Sequence, residues 1–252
     1  MPIRPQRRPP SAGKVFALGA VTLAAYGAYR LFIGQLLPST AAFNLPPQDL
    51  AVGSGSLACA LFLYWLGRLR YGRATLRNLP GSWTAGAAAL LGLALAAACL
   101  QWPRPPAPWD AASALPRLAG LAAALSAAAC EEIGFRGILS ATLAEWAGRR
   151  GVMWGLLLGS LGFALLHWAY QSPWNLAFAA AAGLALGVAR LRGASLFLLI
   201  AAHACMDAVD ALWLSPSLSL GYWNGLAAAG VALVLGAALW LLPKAVRPPS
   251  AA

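Results

Sequence analysis

Three successive apolar stretches of this chain carry ionisable residues at helical spacing. Residues 131–136 read Glu131-Glu132-Ile133-Gly134-Phe135-Arg136. Phe163 stands four residues before His167, and His203 stands four before Asp207 and seven before Asp210; these are the chain's two histidines. Residues four apart share a helix face. Glu132 is therefore placed to pair with Arg136, while Glu131 points about 100° away around the helix. A carboxylate and an imidazole gathered around a water make a general-base pair, and a second imidazole with its neighbour can meet a developing oxyanion. Hydrolysis is chemistry that this set can perform. The spacing does not match the H-E-x-x-H metal motif.

The stretches around these groups are suited to lipid. A charge at the centre of a bilayer costs ~2.5–3.5 kcal/mol, so buried charges there face a cavity or a partner. Of 252 residues, 60% are hydrophobic and 10% charged, against ~25% charged in ordinary globular domains. Eighteen bases against seven acids give a net charge of +11. The bases fall in short clusters between apolar runs, which is the pattern of membrane topology rather than of a nucleic-acid surface. The four cysteines, Cys59, Cys99, Cys130 and Cys205, lie within apolar runs and form no C-x-x-C pair, so they read as small packing residues rather than a disulfide framework.

Spanning takes ~20 apolar residues. That criterion predicts an all-α, polytopic membrane bundle of about eight transmembrane helices, near 15–37, 50–67, 82–102, 116–144, 152–171, 174–190, 193–214 and 221–242. Prolines such as Pro38, Pro80, Pro103 and Pro173 punctuate the connections. The organisation follows: a basic, disordered tail over 1–14; helices one to three with an outer loop over 15–115; a core of helices four to seven over 116–214; and a last helix with a tail over 215–252. The first apolar run is too long for the ~7–15-residue core of a signal peptide. With the N-terminus inside, the inner segments hold fourteen bases, among them Lys14, Arg68, Arg70, Arg149, Arg150, Arg190 and Arg192. The outer connections hold Arg104 and Arg117. Both termini are therefore expected in the cytoplasm.

The motifs E-E-x-x-x-R, F-x-x-x-H and H-x-x-x-N/D, on separate helices in this order, resemble those of the CPBP intramembrane proteases. That family comprises the CAAX prenyl endopeptidases and their bacterial, Abi-like relatives, and the resemblance runs over about residues 116–212. It implies an intramembrane endopeptidase of the glutamate type in a bacterial cytoplasmic membrane. It implies Glu131 as the base that activates water with His167, and His203 with Asp207 as the oxyanion site. Glu132, Arg136 and Phe163 would support the site. The implied partners are a protein or peptide substrate at the membrane and the lipid bilayer, with no nucleic acid. No cofactor is implied, although a divalent metal at Glu131, His167, His203 and Asp207 stays open. The CAAX branch carries asparagine where this chain has Asp207. An ionised aspartate cannot donate to an oxyanion, so Asp207 is protonated, orients His203, or helps to hold a metal. The alternative from the residues alone is a non-catalytic membrane scaffold or a proton-coupled transporter.

The distribution of bases has a direct test. A cytoplasm-active reporter fused at residue 252 and an export-dependent reporter fused near Ala107 should both be active, and the opposite result at either point overturns the topology.

Overall fold

The apolar runs fold as helices close to the expected places. The computed structural model of the chain describes residues 11–36, 46–71, 82–101, 111–167, 173–213 and 222–241; of the basic tail expected over 1–14, residues 1–10 lie outside them, and helix already begins at Ala12. The elements are α1 (Ala12–Leu36), α2 (Pro46–Tyr71), α3 (Ser82–Gln101), α4 (Ala111–Glu132), a π-helical segment (Ile133–Leu139), α5 (Ser140–Leu166), α6 (Pro173–Leu191), α7 (Leu196–Trp213) and α8 (Tyr222–Leu241). Among the described residues there is no strand.

Polarity runs inside out. Leu57, Leu61 and Trp65 on α2, Leu91 and Leu95 on α3, and Leu233 and Val234 on α8 are exposed, whereas Glu131, Glu132, Arg136 and His203 are buried. A water-soluble chain would reverse that arrangement. Residues 51–71, 114–166 and 224–241 are long and apolar enough to cross a membrane, and 83–98, 176–191 and 196–208 are shorter apolar helices. The protein is an all-α membrane bundle.

Lipid supplies little hydrophobic drive between helices, so they associate through close packing at small residues. A Cβ on Gly53 of α2 would lie 3.3 Å from the Ala123 backbone of α4, and one on Gly134 would lie 2.7 Å from Leu23 of α1. Along the chain α1 runs antiparallel to the continuous helix of α4, the π-helical segment and the start of α5: Phe16 packs near Trp146 at 5.1 Å, Leu23 covers Gly134, and Tyr26 reaches Glu131. α2 runs parallel to the same continuous helix, with Gly53 against Ala123 of α4, Tyr71 bonded to Thr142 of α5 at 2.6 Å and Arg70 paired with Glu145 of α5. The directions gather Lys14, Arg68, Arg70, Arg149 and Arg150 at one end of the bundle.

Two expectations are corrected. Helices four and five were expected as 116–144 and 152–171 with a connection between them. Instead α4 begins at Ala111, and helix continues through the π-helical segment into α5, where Gly148 turns the chain at φ 53° and ψ −129°. Only glycine takes that conformation at little cost, so the connection shrinks to a tight turn. The second correction concerns Arg117, counted above among outer bases. It lies in α4 and is fully buried, because α4 starts earlier than Pro116 suggested.

Gly151 closes the turn. A Cβ there would stand 1.7 Å from the Leu143 carbonyl oxygen. Gly151→Val should therefore lower the melting temperature in detergent more than Gly148→Ala, whose cost is the ~1–3 kcal/mol of a sparsely populated backbone region. Equal melting of the two variants would show that the turn does not constrain the hairpin.

Candidate active site

The site is assembled around a carboxylate that ends α4. Glu132 Oε1 accepts from Arg136 Nη1 at 2.9 Å and lies 3.0 Å from His203 Nδ1. A carboxylate only accepts, so the Nδ1–H of His203 is the donor. Arg136 also donates through Nη2 to the Gly183 carbonyl at 2.8 Å. Glycine at 183 relieves the crowding around it: a Cβ would sit 3.1 Å from the Ser160 Cα and 3.4 Å from both Arg136 Nη2 and Phe163 Cδ1. The i,i+4 pair read from the sequence is present, and α6 and α7 complete it.

Immediately after Glu132 the backbone widens. The Ser140 N–H bonds to the Phe135 carbonyl five residues back, and its Oγ donates to the same oxygen at 2.7 Å. Wider turns of this kind occur mostly as short insertions in α-helices, often at functional sites. Here the segment contains Arg136 and separates the two glutamates from the helix that follows. Apolar length over 116–144 predicts regular helix, and Gly134 and Gly137 are local signs of a departure from it.

Glu131 is buried on the neighbouring face. The Tyr26 hydroxyl donates to its Oε1 at 3.4 Å, while its Oε2 is 4.0 Å from His203 Nε2. The two adjacent glutamates thus address opposite edges of one imidazole, Glu132 at Nδ1 and Glu131 at Nε2. Asp207, partly exposed, brings Oδ2 to 3.4 Å from the same Nε2.

His167 closes α5. Its Nδ1 is 2.8 Å from the Phe163 carbonyl. A carbonyl oxygen only accepts, so Nδ1 carries the proton and, in the neutral ring, Nε2 keeps its lone pair. The Phe163 ring lies 4.9 Å from the His167 ring, 5.0 Å from the His203 ring and 5.0 Å from the Arg136 guanidinium carbon. It is the apolar wall on which both imidazoles and the cation pack.

The structure therefore gathers Glu131, Glu132, Arg136, Phe163, His167 and His203 into one buried cluster, with the partly exposed Asp207 at its edge. The side chain of Asp210 lies outside the described residues. Tyr26, Ser56 and Gly183 were missed by the sequence reading. A tyrosine and a serine in apolar runs are ordinary residues until another helix is placed beside them. Among the described residues, no three of His, Cys, Asp and Glu converge in a metal-holding group.

A cluster of carboxylates and imidazoles inside a membrane bundle defines a class, an integral membrane protein with a built polar centre. Residues 113–209 match the family described as Type II CAAX prenyl endopeptidase Rce1-like. The match spans Glu131 through Asp207, so this segment is similar to the CAAX proteases and supports that family assignment. No curated protein and no solved structure matches.

The charge cluster predicts its own failure. Glu132→Gln strands the Arg136 cation and should cost about 3–5 kcal/mol, read as a lower melting temperature in detergent. Adding Arg136→Met to that variant should recover part of the loss, since no unpaired charge then remains buried. No recovery in the double variant would show that the pair is not the source of the stability.

Proposed function

We propose that this protein hydrolyses a peptide bond of a membrane-associated or exported protein or peptide, using Glu131 as the base. One observation carries the reading. His203 is held at Nδ1 by Glu132, with Glu131 and Asp207 both at its Nε2 edge, while His167 keeps Nε2 as an acceptor.

In this mechanism a water lies between Glu131 and His167. Glu131 takes a proton from it as the oxygen attacks the peptide carbonyl carbon, and His167 Nε2 accepts the water's other hydrogen and fixes its direction. The carbonyl π electrons move onto oxygen. An Nε2–H of His203 meets that charge, with the carboxylates around the ring as counter-charges. Collapse of the tetrahedral intermediate breaks the C–N bond, and the proton on Glu131 passes to the leaving nitrogen. Asp207 serves here by holding His203, so its departure from the asparagine of the CAAX branch is tolerable. No metal enters the proposed steps. A prenylated C-terminal peptide is the substrate class that the family description suggests. The basic end of the bundle is read as the cytoplasmic face of a bacterial membrane.

The test is turnover of an internally quenched, prenylated CAAX peptide by the full chain in proteoliposomes, beside mapping of new protein termini in membrane fractions. Glu131→Gln should lower turnover by about 10²–10⁴-fold with the melting temperature kept. His167→Ala should fall similarly, and Asp207→Asn, which removes a counter-charge from the Nε2 edge of His203, should also cut activity heavily. EDTA should have no effect. Full activity of Glu131→Gln removes the enzyme in favour of a scaffold or transporter, and zinc-restored activity after EDTA replaces the glutamate mechanism with a metal one.

A further inference from the structure

The matched segment begins at residue 113, yet Glu131 is contacted from outside it. Tyr26 of α1 is fully buried, and its hydroxyl donates to Glu131 Oε1 at 3.4 Å. Ser56 of α2, also fully buried, donates through Oγ to the Tyr26 hydroxyl oxygen at 3.2 Å. The direction of this chain is settled by chemistry. A carboxylate can only accept, so the phenol proton points to Glu131. The phenol oxygen is then an acceptor for Ser56.

The geometry that places these hydroxyls is built from glycines. Leu23 covers Gly134, where a Cβ would lie 2.7 Å from the leucine, and Tyr26 follows three residues on, facing Glu131 three residues back. Tyr29 lies on Gly55 of α2, where a Cβ would stand 2.3 Å from its ring, and its hydroxyl donates to the Ala51 carbonyl at 2.5 Å. The two tyrosines on this face of α1 differ in what they do. Tyr29 ties α1 to α2 through a backbone carbonyl. Tyr26 directs its donor at an ionisable group.

From these contacts, and resting on the protease reading above, we infer that Tyr26, backed by Ser56, is a positioning residue for the reaction. It holds Oε1 of Glu131 and leaves Oε2 directed to the His203 edge of the site as the basic oxygen. The functional unit then includes α1 and α2 and is larger than residues 113–209. Cooperative donation along Ser56–Tyr26–Glu131 strengthens each bond in a low-dielectric interior.

The experiment uses the full chain in proteoliposomes with two readouts. Dicyclohexylcarbodiimide, a lipid-permeable carboxyl reagent, is added without substrate, and the label on Glu131 relative to Glu132 is quantified by mass spectrometry. Turnover of the quenched prenylated peptide gives kcat and KM. Tyr26→Phe should label Glu131 several-fold faster, because Oε1 has lost the Tyr26 hydroxyl. It should also lower kcat by about 10–100-fold, the usual effect of losing a hydrogen bond to a charged group, with KM nearly unchanged. Ser56→Ala should give a smaller change in the same directions, and Tyr29→Phe should leave the labelling ratio as it is. Unchanged labelling and kcat in both Tyr26→Phe and Ser56→Ala overturn the inference, as does a loss confined to melting temperature. If Tyr26→Phe fails to fold, Ser56→Ala decides alone. A wild-type chain that never cleaves the peptide, yet keeps the labelling shift, removes the protease reading and not the coupling of Tyr26 to Glu131.

Discussion

A single carboxylate oxygen, Glu132 Oε1, joins three helices that lipid gives little other reason to hold in register. Arg136 and His203 both reach it, and Arg136 continues to the Gly183 carbonyl. In a bilayer each of these groups alone would be expensive to bury. Together they neutralise one another, and the arrangement is satisfied only when α4, α6 and α7 adopt one relative rotation. The interaction is thus more a specifier of geometry than a source of net stability, as buried ion pairs are elsewhere.

The remaining chemistry follows from where that hub places the His203 ring. With Nδ1 committed to Glu132, Nε2 must face away, and there it meets Glu131 and Asp207. Adjacent residues on one helix can serve opposite edges of the same ring because they diverge by about 100°. The Phe163 ring then fixes the remaining freedom by packing against both imidazoles and the Arg136 guanidinium. One apolar side chain thereby couples α5 to the centre, although it carries no proton itself.

Close approach is what makes such a dense centre affordable. Gly53, Gly134, Gly151 and Gly183 each bring a neighbouring helix or side chain nearer than a Cβ would comfortably allow. The π-helical segment adds a second adjustment, inserting a wider turn directly after the glutamates. Polar interior and apolar exterior are consistent with one solvent, the bilayer, and residues 113–209 are similar to the CAAX prenyl endopeptidases.

Much of this was readable along the chain. Apolar length and proline punctuation located the helices to within a few residues, and the i,i+4 rule paired Glu132 with Arg136, because both depend on local geometry alone. The types and order of Glu131, His167, His203 and Asp207 likewise marked one polar centre. Three features were decided only by tertiary structure. Gly148 collapses an expected connection into a turn, since a left-handed backbone is visible only once the flanking helices pack. Arg117 becomes buried, since burial depends on where neighbouring helices lie. Tyr26 reaches Glu131 across 105 residues, since the meeting of two side chains on different helices depends on interhelical rotation and on glycine contacts that no single periodicity encodes.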